Sequence, residues 1–227
     1  MKLAKRFLLC VAFACSLLFV SSSRPADSPY VVDNQLVRVI SATDMPHAKG
    51  ARHHHEFNRV MIYLDGGDLE ITYDDGHKDE QHWKAGDVAW SLAGPYHTSE
   101  NVGPRPVHII EIELKEPGPV VSPVRKTELD PIAIDPEHNT LLLENDQVRV
   151  IKSWREPGGA EKMHQHVGRG RVTVFLTDAD TNVKLADGTT NALHAKAGDV
   201  RWSDGPVTHT SRNTGSSRLE VVVVEVK

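Results

Sequence analysis

The chain is one pattern written twice, and that repeat limits the possible folds more than any other feature. The stretch from Tyr30 to Ile40 lines up with Leu141 to Ile151 at an offset of 111, and one extra residue near Gly168 makes the offset 112. From Arg59 to Lys115 the register then runs without a gap onto Arg171 to Lys227, with 21 of 57 positions identical. Ordinary composition would give roughly one in fifteen. An internal duplication of this kind calls for two copies of one structural unit, each of about 85 residues. Between the copies, Glu116 to Arg125 carries three prolines and a glycine, which cannot supply ladder donors and suit a stiff connection. The expected divisions are a first unit over 28–116, a Pro-rich linker over 117–138 and a second unit over 139–227.

Each copy is built of strands. Apolar and polar residues alternate from Ile110 to Lys115, and Val222 to Lys227 keeps its apolar set on the same parity, the signature of a strand with one face in a core. Asp75-Gly76 and Asp187-Gly188 stand at matching points where tight hairpins with positive φ would want them. No stretch of eleven or more residues after the first 23 has a helical period. The fold class is all-β, a small antiparallel barrel or sandwich in each copy.

The N-terminus reads as an export signal. Lys2, Lys5 and Arg6 precede an apolar run from Phe7 to Val20, and Ser21 to Ser23 follow, the layout of a secretory signal peptide over residues 1–23. Fourteen residues of helix would span roughly 21 Å against a hydrocarbon core of about 30 Å. Both cysteines, Cys10 and Cys15, fall inside this segment. The mature protein is expected to be cysteine-free, not membrane-spanning, and periplasmic or secreted. With a formal charge of −5 and no basic run in the body of the chain, nucleic acid is an unsuitable partner.

The histidines carry the chemistry. His53-His54-His55 aligns with His164-Gln165-His166, so the shared pattern is His-x-His, and i and i+2 of a strand point to one face. A third histidine recurs as His97, four residues before Asn101, and as His209, four before Asn213. Three imidazoles on one side of a barrel make a metal site with open positions, provided their ring nitrogens converge to within about 4 Å of one another.

On these motifs the chain resembles the cupin superfamily, with two jelly-roll, double-stranded β-helix barrels in tandem, a bicupin. The family's first motif, His-x-His leading into an apolar strand and a Gly turn, matches His53 to Gly66 and His164 to Leu176, and its second matches Gly86 to Asn101 and Gly198 to Asn213. The resemblance implies His53, His55 and His97 as ligands in the first barrel, and His164, His166 and His209 in the second. It also implies a divalent transition metal (Fe, Mn, Zn, Cu or Ni) and a small organic acid or phenol as substrate of an oxygenase, decarboxylase or isomerase.

One departure weighs against a simple transfer. Where the family's Glu ligand belongs, the chain has Arg59 and Arg171. A guanidinium about 6 Å from a divalent ion at an effective dielectric near 20 adds repulsion on the order of 5 kcal/mol. Two readings stay open for these arginines: inward, holding an anionic ligand bidentately, or outward, paired with a surface carboxylate. Glu56 is a weak substitute for the missing carboxylate, since it neighbours His55 and would face away. Trp90 and Trp202 read as packing, His82 and His194 as surface residues, and Asn101 and Asn213 as holders of backbone groups. Two functions follow: a metal-dependent enzyme, or a non-catalytic envelope protein holding a small anion through Arg59 and Arg171.

Overall fold

The computed structural model describes residues 30–116 and 127–227. The expected signal peptide over residues 1–23 and the proline-rich stretch from 117 to 126 lie outside the described residues.

The first copy consists of β1 (Tyr30–Asp33), β2 (Val37–Asp44), β3 (His53–His55), β4 (Arg59–Tyr63), β5 (Gly67–Tyr73), β6 (Lys78–Trp83), β7 (Val88–Ser91), β8 (Gly94–Asn101) and β9 (Val107–Leu114). A one-turn helix, α1 (Pro131–Ile134), precedes the second copy. That copy consists of β10 (Asn139–Glu144), β11 (Val148–Arg155), β12 (His164–His166), β13 (Gly170–Phe175), β14 (Ala179–Leu185), β15 (Thr190–Ala195), β16 (Val200–Asp204), β17 (Val207–Asn213) and β18 (Leu219–Val226). Each copy folds into a five-stranded sheet, β1-β2-β9-β4-β7 or β10-β11-β18-β13-β16, and a four-stranded one, β3-β8-β5-β6 or β12-β17-β14-β15. The strand order is the same in both copies, and all the pairings are antiparallel. The expected all-β duplication is the observed architecture.

The hairpins form where the Asp-Gly pairs stand. Tyr73 and His77 close the β5–β6 turn, and Gly76 takes φ 84°, a left-handed conformation that costs glycine nothing. Asp75 accepts from the His77 amide at 2.9 Å, which holds the turn shut. Gly188, at φ 90°, repeats the arrangement, with Asp187 accepting from Thr189.

The main apolar core lies between the two copies. Val37, Val39, Val60, Ile62, Ile110 and Ile112 of the first five-stranded sheet pack with Val148, Val150, Val172, Val174, Val222 and Val224 of the second, all of them fully buried. β-branched residues suit this face, since their stiff side chains pack well on a pleated surface. The opposite parity of the same strands, carrying Arg59, Met61, Tyr63, Glu111 and Glu113, faces the interior of its own barrel toward the four-stranded sheet. That interior is apolar at one end, around Tyr63, Leu69, Val107 and Ile109, and polar at the other. Each barrel therefore contributes its apolar face to a shared core and keeps one polar end inside.

Candidate metal centres

Strands β3 and β8 lie side by side with His53 opposite His97, and β12 and β17 place His164 opposite His209. Strand alternation turns His55 and His166 to the same side as their partners. The nearest ring nitrogens of His53, His55 and His97 all lie within 4.8 Å of one another, and so do those of His164, His166 and His209. The Nε2 atoms of His53 and His55 are 3.2 Å apart, and those of His164 and His166 are 3.1 Å apart. Bonds of roughly 2.1 Å to one ion place adjacent ligand nitrogens about 3.0–3.4 Å apart. His97 and His209 complete the two sets within the 4.8 Å span, which is wider than the expected convergence of about 4 Å.

Hydrogen bonds on the far side of five of the six rings explain this geometry. His53 Nδ1 lies 2.8 Å from the Ala51 carbonyl, His97 Nδ1 3.0 Å from that of Pro95, and His164 Nδ1 3.0 Å from that of Lys162. A carbonyl only accepts, so Nδ1 must carry the proton and donate, which leaves Nε2 of the neutral ring as a bare lone pair. Burial holds His97, His166 and His209 below the usual imidazole range, and the neighbouring imidazoles and arginines act in the same sense. These rings are therefore neutral, the form that ligates. Two lone pairs held face to face at this distance repel unless a cation stands between them. His209 is buried with neither ring nitrogen hydrogen-bonded, a cost that a metal bond would remove. The residues present fit a divalent transition metal in both barrels.

His55 and His166 are oriented differently, by carboxylates from the neighbouring sheet. Glu225 Oε1 accepts from His166 Nδ1 at 2.5 Å, and Glu113 Oε1 stands 3.5 Å from His55 Nδ1. Behind each carboxylate is an arginine: Arg38 Nε is 2.5 Å from Glu113 Oε2, and Arg149 Nη1 is 3.7 Å from Glu225 Oε2. Burial pushes the Glu225 carboxyl up to about 7, with Arg149 and Arg171 pulling it back. Carboxylates that fix the ring of a ligating histidine raise its basicity and its affinity for metal. The sequence reading did not single out Glu113, Glu225, Arg38 or Arg149, although all four repeat between the copies.

The second barrel adds a further support. Asp130 caps α1 by accepting from the Ile132 and Ala133 amides, and it binds Arg149 at 2.7 Å with both side chains buried. The Gln165 amide donates to the Leu129 carbonyl, so the segment before β10 lies against the ligand strand β12. Burial raises the Asp130 carboxyl, but Arg149 and the two helix amides outweigh it and hold the group below its ordinary value. A carboxyl lowered in this way contributes stability that is complete above its unfolded value and lost as pH falls through the folded one. Asp130→Asn is therefore expected to cost about 3 kcal/mol at pH 7, as broken buried pairs do. The loss of stability below about pH 4 should become shallower in the variant. Urea midpoints measured against pH would show both effects.

Both arginines at the family's Glu position turn inward. Arg59 is 7% exposed, with Nε 3.1 Å from Glu111 Oε2 and 3.2 Å from Met61 Sδ. Arg171 lies close enough to His166 and His209 to disfavour protonation of both. Glu56 is exposed and offers the first site nothing. Trp90 and Trp202 pack against the shared core, and His82 and His194 are exposed beside Asp68 and Asp180. Asn101 and Asn213 are fully buried, each donating to two carbonyls and accepting from the amide two residues on. They hold the loop that follows the third histidine. The two sites differ in access: His164, His166 and His209 are all buried, whereas His53 and His55 are half-buried.

Two jelly-roll barrels in tandem, each with a His triad on its inner face, define the bicupin architecture, and that is the fold of this chain. Among solved structures, AerE from Microcystis aeruginosa superposes with a TM-score of 0.61 at 12% identity, covering 85% of this chain and 88% of that one. The oxalate decarboxylase of Bacillus subtilis, described with Mn(II) centres, superposes at 0.60 with 14% identity over 85% of this chain and 69% of that one. At these identities the likeness is one of fold. No protein-family model matches the sequence, and no curated protein sequence does.

Proposed function

We propose that the protein is an exported, metal-dependent bicupin enzyme acting on a small organic acid by an oxygenase, decarboxylase or isomerase reaction. The observation that carries this reading is the convergence of ring nitrogens in both barrels, with five of the six rings hydrogen-bonded from behind. His53, His55 and His97 would hold one ion, and His164, His166 and His209 the other. A bound ion would supply Lewis acidity, or a site for dioxygen, at the positions the protein leaves free. The protein's own part is to keep His97, His166 and His209 neutral by burial, and to place a guanidinium near each triad. The first barrel is the more accessible of the two, and there Glu111 already neutralises Arg59, which leaves the open coordination positions to take the acid. The oxalate decarboxylase fold and its Mn(II) centres support this class of chemistry by analogy. Export is supported by the charged, apolar and small-residue layout of residues 1–23.

The test is turnover. The full chain, loaded in turn with Mn(II) and Fe(II), is incubated with oxalate and with small 2-oxo and hydroxy acids, with and without oxygen. Products are followed by mass spectrometry and carbon dioxide release. Turnover that disappears in His55→Ala supports the first barrel as the working site. Fully loaded protein that converts none of these acids points to the binding-protein reading.

A further inference from the structure

The two barrels neutralise their inner arginine differently. Arg59 has Glu111 and Met61 as partners in the first barrel. In the second, the corresponding residues are Val223 and Thr173. The register is otherwise the same: Arg171 stands opposite Glu225 as Arg59 stands opposite Glu113, and Thr173 opposite Val223 as Met61 opposite Glu111. Arg171 Nη1 is buried without a hydrogen-bond partner, and among the described residues no carboxylate lies within 4.0 Å of the guanidinium. The two carboxylates whose fields reach it are engaged elsewhere. Glu225 holds His166 and faces Arg149, and Glu161 binds Ser211 at 2.7 Å and lies 3.4 Å from Arg155. Burial lowers Arg171 only to about 10, so it remains a cation at neutral pH. Beside it, both ring nitrogens of His209 are also without partners.

A guanidinium nitrogen buried with no hydrogen-bond partner and no carboxylate in contact is unfavourable. We infer that the second barrel is completed by an exogenous small planar oxyanion, a monovalent carboxylate of formate size. The anion accepts from Arg171 Nη1 beside the His triad and occupies the place that the Glu111 carboxylate fills in the first barrel. Valine at position 223 removes the carboxylate that answers the arginine in the first barrel. The first barrel carries its own carboxylate and takes no such anion while Glu111 is present. This rests on the metal reading only for the anion's second oxygen, which would face the ion, and the contact with Arg171 stands without it.

Sodium formate is the probe, titrated calorimetrically into the full chain, with metal content measured on the same samples. Wild type is expected to bind one formate per chain. Arg171→Gln and Val223→Glu should each weaken that binding at least tenfold, the first by removing the donor and the second by restoring an internal counter-charge. Glu111→Val should add a second equivalent. Formate should also raise the melting temperature of wild type but not of Arg171→Gln, whose fold loses only an unpartnered charge and so remains testable should Val223→Glu fail to fold. Absence of saturable binding to wild type, or binding that Arg171→Gln leaves unchanged, would overturn the inference. Metal-loaded protein that ignores formate rejects the anion site alone. Metal-free protein that binds formate through Arg171 supports the anion site and rejects the metal centre.

Discussion

Changing His55 and His166 together to alanine is expected to reduce metal content from about two ions per chain to essentially none. Each loses one of three ligands, and the two remaining imidazoles hold an ion poorly. Four-ligand structural zinc sites are worth roughly 10–16 kcal/mol, or about 3 kcal/mol per ligand, so each substitution should weaken its site more than 100-fold. The single variants should each retain one ion, which elemental mass spectrometry resolves directly. A graded control is Glu225→Ala, which leaves all six ligands but frees the His166 ring, and should lower affinity in the second barrel by about 10- to 100-fold. Stability should follow occupancy. A ligand present at about a thousand times its dissociation constant adds about 4 kcal/mol, so chelation should lower the urea midpoint of wild type and leave that of the double variant unchanged. Metal content indifferent to both substitutions would contradict the assignment.

The second large effect lies in the core between the barrels. Ile110 is fully buried among valines and isoleucines of both copies, and Ile110→Ala is expected to destabilise the protein by about 2–5 kcal/mol. The loss should appear in both halves at once, because the cavity would open in a core that both complete. Trp90 of the first copy and Trp202 of the second pack against that core, so tryptophan fluorescence reports on each side. One urea transition, shifted as a whole, is the expected outcome. Two separate transitions, with only the first shifted, would show that the barrels are stabilised independently.

The repeat, the strands and the histidine pairs could be read from the sequence because each is a local pattern: a fixed offset, a period of two, a His-x-His. The carboxylates behind His55 and His166 could not. In Ile110-Glu111-Ile112-Glu113, alternation shows that the glutamates share a face, but a solvated face and a polar barrel interior produce the same pattern. Only the packing of Ile110 and Ile112 on the other copy puts Glu111 and Glu113 inside. Glu225 was hidden for the same reason, at the end of a valine run buried on both faces. The directions of Arg59 and Arg171 were equally undetermined, since a strand residue next to an apolar run can face either way. The difference between Glu111 and Val223 is plain in the aligned copies, yet it acquires meaning only once the register sets each beside an arginine.

The contact between the copies is reciprocal. A Cβ at Gly86 would stand 3.7 Å from Leu176, and one at Gly198 would stand 3.4 Å from Leu64, the matching residue of the other copy. Such pairs mark a pseudo-twofold axis, the isologous geometry of a homodimer written along one polypeptide. In a true homodimer every substitution occurs twice, so the two pockets must remain identical. Joining the copies in one chain lifts that restriction, and lets one pocket keep a glutamate where the other has valine while the surface that unites them stays symmetric.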